Sequence, residues 1–310
     1  KENVFTTKLY DIIIAGDMDT FDSIFLVMDY TTHDIKKMLN SKIGPNFSFT
    51  EDHCITIIYN LLCAMNFMHS ANIVHRDIKP SNILIDGQCG VKICDFGLSR
   101  TLPQQKEKVR RPPKRQLSDY IVSRWYRAPE VILKEKEYDT KIDQWSLGCI
   151  AGELIMFTNE NRIEKKFPKK ILFQETAVTH ALLAENEEKS REQDSNNKRK
   201  RPTHNYSGRA GSSESLGSLV PRHQRPEVLR ETLERKVGRE PAEKFAGSSH
   251  EIIDLLSSML KFNPTARFSA ADCIKSPIFD SIRRPALEKS APWKIYLGCD
   301  KMDAFDYETL

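Results

Sequence analysis

Apolar residues fall in short clusters whose spacing changes along the chain, from nearly continuous runs at the start to a helical repeat beyond residue 50. Two compact runs, Leu9–Ala15 and Ile24–Tyr30, are separated by Gly16-Asp17-Met18-Asp19 and predict two strands joined by a turn. After Asp34, the positions Ile35, Met38 and Leu39 predict a short helix closed by Gly44-Pro45. A long helix is predicted from Thr50, whose hydroxyl can cap, with Glu51 and Asp52 at the positive end of the dipole. Its core-facing stripe is Ile55, Ile58, Leu62, Met65 and His69. Ile83-Leu84-Ile85 and Val91-Lys92-Ile93-Cys94 flank the turn Asp86-Gly87 and predict a hairpin. Lys141–Phe157, with Trp145, Gly148, Cys149 and Gly152, and Glu251–Leu260 predict two further helices. A last short one begins near Ser269, where Asp272 stands in a capping-box position. The expected class is α+β.

Between these elements, roughly Asn159–Ser249, the pattern fades. Glu185–Gly217 is polar, charged and serine-rich, with too little apolar surface to offset the entropy of ordering, and is expected to be a disordered insertion. The run Lys198-Arg199-Lys200-Arg201-Pro202 inside it reads as solvated charge, or as a nuclear import signal or nucleic-acid contact. With no interleaved aromatic residues, it gives nucleic acid little support. No internal repeat is visible.

Composition narrows the class further. The 310 residues are 39% hydrophobic and 29% charged, with a net charge of +4, as expected of a soluble protein. No run of about eighteen apolar residues occurs, so no membrane span is expected. Seven cysteines lack Cys-x-x-Cys spacing, which argues for reduced thiols in the cytosol or nucleus and against a zinc site or a disulfide framework. The chain starts at Lys1 without a basic or apolar leader, and is expected to be a fragment without a targeting signal.

The candidate chemistry is concentrated between His75 and Glu130. His75-Arg76-Asp77-Ile78-Lys79-Pro80-Ser81-Asn82 leads into the hairpin, the hairpin ends on Asp95-Phe96-Gly97, and Arg127-Ala128-Pro129-Glu130 follows a basic loop. One such motif is weak, but three in this order, joined by a hairpin, are specific. They resemble the signature of the eukaryotic protein kinases, and more closely that of the mitogen-activated protein kinases. The resemblance covers about Lys1–Phe157 and Ser249–Arg283. It implies a protein kinase-like α+β fold with a mostly helical large lobe and an incomplete β small lobe. Residues 1–30 would be a remnant of the small lobe and the hinge, and 31–157 the large lobe with catalytic loop and activation segment. Residues 158–249 would be an insertion, 250–285 the last helices of the large lobe, and 286–310 a C-terminal extension.

The resemblance also assigns roles. Asp77 would accept the substrate hydroxyl proton, Lys79 would sit against the transferring phosphate, and Asn82 and Asp95 would hold Mg²⁺, a cation that prefers oxygen ligands. Met28 would be the gatekeeper, the backbones of Asp29 and Thr31 would meet the adenine of ATP, and Leu84 would floor its pocket. Ser118-Asp119-Tyr120 resembles a Thr-x-Tyr dual phosphorylation site, to be modified by an upstream dual-specificity kinase. Arg76, Arg124 and Arg127 are natural partners for those phosphates, because guanidinium meets phosphate bidentately. Asp143 matches a buried Asp of the following helix, and Arg267 the arginine that pairs with Glu130. Substrates would be proteins phosphorylated at Ser or Thr followed by Pro.

Departures from the family pattern open alternatives. No Gly-x-Gly-x-x-Gly and no Val-Ala-Ile-Lys precede the catalytic loop, and Lys1 and Lys8 cannot replace that lysine in sequence order. Residues 1–310 alone are therefore expected to turn over poorly, and a catalytically silent kinase-like scaffold is the competing reading. Arg100–Arg115 carries seven basic residues and one acid, read either as a solvated loop or as a surface for acidic partners and the added phosphates. Asp300, Asp303, Asp306 and Glu308 read as an ordinary soluble tail or as part of a dock for basic linear-motif peptides. Cys94, beside Asp95, is expected to be a packed, inert thiol.

Overall fold

The computed structural model describes residues 4–16, 21–41, 48–102, 124–132, 139–159, 161, 245 and 247–296. Ser118 and Tyr120, the stretch Glu185–Gly217 with its basic run, and the acidic residues from Asp300 onward lie outside the described residues, as does the side chain of Arg124.

The first apolar runs form an antiparallel hairpin. β1 (Leu9–Ala15) pairs with β2 (Ser23–Met28), with Ile14 opposite Ile24 and Leu9 opposite Met28. Neighbouring residues of a strand point to opposite faces, yet Ile12 and Ile13 are 51% and 50% exposed, and Phe25 and Leu26 59% and 58%. Both faces of the hairpin are thus open among the described residues. Backbone bonds hold the segment just before it: Ile93 donates to the carbonyl of Phe5 at 2.7 Å and accepts from Thr7 at 3.2 Å.

β3 (His33–Asp34) runs directly into α1 (Ile35–Asn40), which Asp34 caps by accepting from the amide of Lys37 at 2.7 Å. The long helix α2 (Glu51–Ser70) starts at Thr50 as predicted, and Thr50 donates its amide to the His53 ring. The predicted single stripe is too narrow. Ile58, Leu62 and Met65 are buried, but so are Cys54, Ile57, Tyr59, Leu61, Cys63, Ala64 and Met68, while Ile55 and His69 are only partly buried. The reason is tertiary, because strands and helices cover this helix on several sides.

After α2, β4 (Ile73–Val74), β5 (Ile83–Ile85), β6 (Val91–Ile93) and β7 (Arg100–Thr101) form two small sheets, β3-β5-β6 and β4-β7, all antiparallel. α3 (Pro129–Ile132) precedes α4 (Lys141–Phe157), which is buried almost throughout. α5 (His250–Met259) and the short α6 (Ala270–Ile274) follow; α6 begins in the predicted capping box, with Asp272 Oδ2 accepting from the amide of Ser269. The class is α+β: a large helical part carrying the core, and a smaller, open β part. Among the described residues no helix is long and apolar enough to cross a membrane.

Two features were not predicted. The segment after α6 runs back along α2: Tyr59 donates to Glu288 at 2.8 Å, Ala291 donates to Ser70 Oγ at 2.8 Å, and the Ile295 amide donates to Ala71 at 2.8 Å. The chain around the long weakly patterned stretch is also pinned on both sides. Asn161 Nδ2 donates to Ser248 Oγ at 2.8 Å, Phe245 is fully buried, and the Ser249 amide donates to Glu51 at 3.1 Å.

Gly148 sets the approach of α4 to α5. A Cβ there would lie 2.8 Å from Leu260 Cδ2 and 3.2 Å from Met259 Cβ, and both neighbours are buried. Gly148→Ala gains about 1 kcal/mol of helix propensity but must overpack this contact, which typically costs about 1–3 kcal/mol. We expect a small net loss of stability for Gly148→Ala and a clearly larger one for the branched Gly148→Val, read as successive falls in the urea midpoint. Equal midpoints for Gly148→Val and wild type would show that the helices are not in close contact.

Candidate active site

A single carboxylate organises the motif His75–Asn82. Asp143, near the start of α4, has no solvent exposure. Its Oδ2 accepts the backbone N–H of His75 at 2.8 Å and His69 Nε2 at 3.1 Å, and its Oδ1 accepts the N–H of Arg76 at 2.8 Å. Arg76 has φ of 71°, a left-handed conformation that costs a non-glycine residue free energy and persists only where neighbours enforce it. The two amides held by Asp143 do the enforcing. Burial alone would raise the Asp143 pKa, but the hydrogen bonds and charges supplied by His69 and His75 outweigh it and leave it lowered.

The loop that follows gathers three polar side chains. Lys79 Nζ donates to Asp77 Oδ2 at 2.6 Å, with Asp77 only 6% exposed. Asn82, in a 3₁₀ turn over Pro80–Asn82, donates its amide to the Asp77 carbonyl at 2.9 Å and to the same Oδ2 at 3.1 Å. Asp77 Oδ1 and Asn82 Oδ1 thus make no hydrogen bond to a described residue. The Cys94 amide donates to the Asn82 carbonyl at 3.0 Å, tying this loop to the end of β6. His75 Nε2 donates to the Cys94 carbonyl at 3.1 Å, which fixes its tautomer, since a carbonyl only accepts. Phe96 packs edge-on against the His75 ring, centroids 5.1 Å apart.

Asp95 comes next, exposed and with φ of 64°, and the Gly97 amide approaches its Oδ1 at 3.4 Å. Its remaining oxygen, with Asn82 Oδ1, offers the hard donors that Mg²⁺ requires. No group of three or more His, Cys, Asp or Glu able to hold a metal occurs among the described residues. Mg²⁺ is usually held by one or two protein carboxylates, with phosphates and water completing its shell. The Cys94 thiol has its pKa raised by partial burial, and then by the Asp95 and Asp34 carboxylates, so it stays protonated near neutrality.

The residues expected at the adenine lie in β2, in the segment after it, and in β5. Met28 ends β2 and is 41% exposed, Asp29 and Thr31 follow it and are half-buried, and Leu84 is the half-buried middle of β5, opposite both Asp34 and Lys92. A cavity is lined by Arg76, Asp77, Tyr126, Arg127, Asp143 and Ser146 among others. Ser146 Oγ donates to the Tyr126 carbonyl at 2.7 Å, and Tyr126 donates to Glu153 at 2.9 Å. Arg267 meets Glu130 in two parallel bonds of 2.7 and 3.0 Å, both residues buried, with the guanidinium 5.1 Å from the centre of the Trp145 ring. That pair is the one the resemblance implied.

The protein kinase domain family matches residues 7–279. A mitogen-activated protein kinase homolog, NTF6, of Nicotiana tabacum is 32% identical over 308 residues, 99% of this chain and 68% of the relative. Mitogen-activated protein kinase 15 of Xenopus laevis is 34% identical over 295 residues, 94% of this chain and 43% of the relative. The chain belongs to the protein kinase family, in its mitogen-activated group. The kinase chain spans 68% of the tobacco relative's length and less than half of the frog relative's.

Of the candidate residues of this kinase, Asp77, Lys79 and Asn82 form one hydrogen-bonded set, joined to Asp95 through Cys94; Arg76 and Arg127 line one cavity. Arg124 lies in a 3₁₀ turn over Arg124–Tyr126. Sequence reasoning placed His69 in the core but missed its bond to Asp143, because the two are 74 positions apart and no local pattern links them. It missed Ser146 for the same reason.

Removing the charge at Asp143 should be costly. Asp143→Asn leaves His69 and two buried amides facing a poorer acceptor, and breaking a buried pair typically costs about 3–5 kcal/mol. The lowered pKa gives the sign of the pH dependence: the stabilisation is complete above the ordinary carboxylate value of about 4 and is lost as the pH falls through the lower folded-state value. Urea unfolding at neutral pH should show the drop for Asp143→Asn, and the difference from wild type should shrink in acid. An Asp143→Asn midpoint equal to wild type at neutral pH would contradict this account.

Proposed function

We propose that this protein is a serine/threonine kinase of the mitogen-activated type, transferring the γ-phosphoryl group of ATP to Ser or Thr followed by Pro. The observation that carries the reading is Asp77: Lys79 and Asn82 both bond its Oδ2, which leaves Oδ1 open to a substrate hydroxyl. In this reading Oδ1 takes the hydroxyl proton as the oxygen attacks phosphorus, and Lys79, held 2.6 Å from the same carboxylate, offsets charge on the transferred group. Asn82 and Asp95 would hold Mg²⁺, which neutralises phosphate charge when bound. The backbones of Asp29 and Thr31 and the side chains of Met28 and Leu84 would receive the adenine. A scaffold would have no chemical use for the set Asp77, Lys79, Asn82 and Asp95.

The test is phosphorylation of Ser-Pro and Ser-Ala peptides by the full-length protein with ATP and Mg²⁺. We expect preference for Ser-Pro, and a loss of about 10²–10⁴-fold in kcat for Asp77→Asn. Wild-type activity in Asp77→Asn, or ATP binding without turnover in wild type, would favour the scaffold.

Regulation belongs to the same proposal. Phosphates on Ser118 and Tyr120, placed by an upstream dual-specificity kinase, would pair with Arg76, Arg124 and Arg127 and complete the substrate site. Arg76 and Arg127 already share one cavity, which supports this. After treatment with the activating kinase, Ser118→Ala should be less active than wild type by about five- to a hundredfold. Equal activation of both proteins would refute the regulatory part. Cytosolic or nuclear residence and recognition of substrates through docking peptides complete the proposal.

A further inference from the structure

Asp29, the residue after β2, is held from three directions. Its amide donates to the Lys8 carbonyl at 3.0 Å, and its Oδ2 takes back the Lys8 amide at 3.1 Å. Tyr10 of β1 donates to Oδ1 at 2.5 Å. The third donor is Lys92 of β6, whose Nζ lies 2.7 Å from Oδ2, with side chains 35% and 10% exposed. Hydrogen bonds from Lys92 first, then Tyr10 and Lys8, hold the Asp29 carboxyl well below the usual carboxylate range, so it remains charged at any assay pH.

Lys92 is well placed for more than a surface ion pair. It stands opposite Leu84 in the antiparallel register, so both side chains lie on the same face of the small sheet. The next residue, Ile93, carries the two backbone bonds to Phe5 and Thr7, and Asp95 follows two positions later. One three-residue strand therefore contacts the segment before β1, the residue after β2, and the loop of Asp95.

We propose that the Lys92–Asp29 pair is a tie between the β1–β2 hairpin and the β3-β5-β6 sheet that sets the backbone of residues 29–31 against Leu84, making Lys92 a positioning residue for the adenine nucleotide. The inference rests on the kinase reading, in which that backbone meets adenine. With Lys92 lost, Asp29 keeps its two bonds with Lys8 and the one from Tyr10 of β1 and stays with the hairpin, while its own link to β6 is cut. The expected effect falls on nucleotide affinity, because Lys92 reaches no residue of the Asp77, Lys79 and Asn82 set.

The experiment compares wild type, Lys92→Met, Lys92→Arg and Tyr10→Phe in the full-length protein. ATP with Mg²⁺ is titrated calorimetrically, kcat and KM are measured, and amide exchange is followed at residues 29–31. For a charge-assisted bond that is partly exposed, Lys92→Met should raise Kd and KM for ATP by about three- to tenfold with the loss in KM and not kcat, and exchange at 29–31 should quicken. Lys92→Arg should recover most of the affinity, and Tyr10→Phe, which cuts only the hairpin side, should lose less than Lys92→Met. Unchanged ATP affinity and exchange in a folded Lys92→Met overturns the tie and leaves the kinase reading standing. Failure of wild type to bind ATP overturns the kinase reading, and nucleotide positioning by Lys92 falls with it.

Discussion

Everything around the catalytic-loop motif depends on a buried negative charge that is fully answered. A carboxylate at zero exposure is stable only if its lone pairs are occupied, and Asp143 has three donors for its two oxygens. Two of those donors are consecutive backbone amides, so the bonds also fix dihedral angles. They hold Arg76 at positive φ, and the direction in which the chain leaves Arg76 sets where Asp77 points. The third donor comes from the last turn of α2. One side chain thus joins α2 and α4, the two longest helices among the described residues, to the loop between them.

A buried ion pair, Arg267 with Glu130, works at the start of α4. Arg267 spends its donors on Glu130 and on the carbonyls of Lys261, Lys141 and Phe262. It closes α3 against the loop after α5. Such a cluster adds little net stability over an apolar one of the same shape, and its value is that only one arrangement satisfies it. Both charges are therefore devices of geometry first.

Much of this was legible in the sequence because it is local. β1, α2, α4 and the capping box at Ser269 follow from periodicity and caps within a few residues, and the three motifs point to the family directly. The resemblance also supplied Asp143 and the partnership of Glu130 with Arg267, which periodicity could not. What stayed hidden depends on residues distant in sequence: His69 on Asp143, Ser146 on Tyr126, Lys92 on Asp29, and the return of the C-terminal segment along α2. The burial of α2 on most sides was hidden too, because a single amphipathic stripe carries no information on how many neighbours a helix will have. Strands of two residues, such as β4 and β7, exist only through their partner and leave no pattern to read.

The pinning of Asn161 to Ser248, with Phe245 buried beside them, has a consequence for chain length. The chain leaves the helical core and re-enters it at nearly one point. The entropic cost of closing such an excursion grows only with the logarithm of its length, about 0.6 kcal/mol for each doubling. The closure that Asn161 and Ser248 make therefore sets no strict number of residues between them, and lengthening the excursion costs closure entropy only slowly. The end points are constrained in the opposite way: Phe245 and Asn161 are buried, so a change there is felt by the core even where a change in the length of the excursion is not.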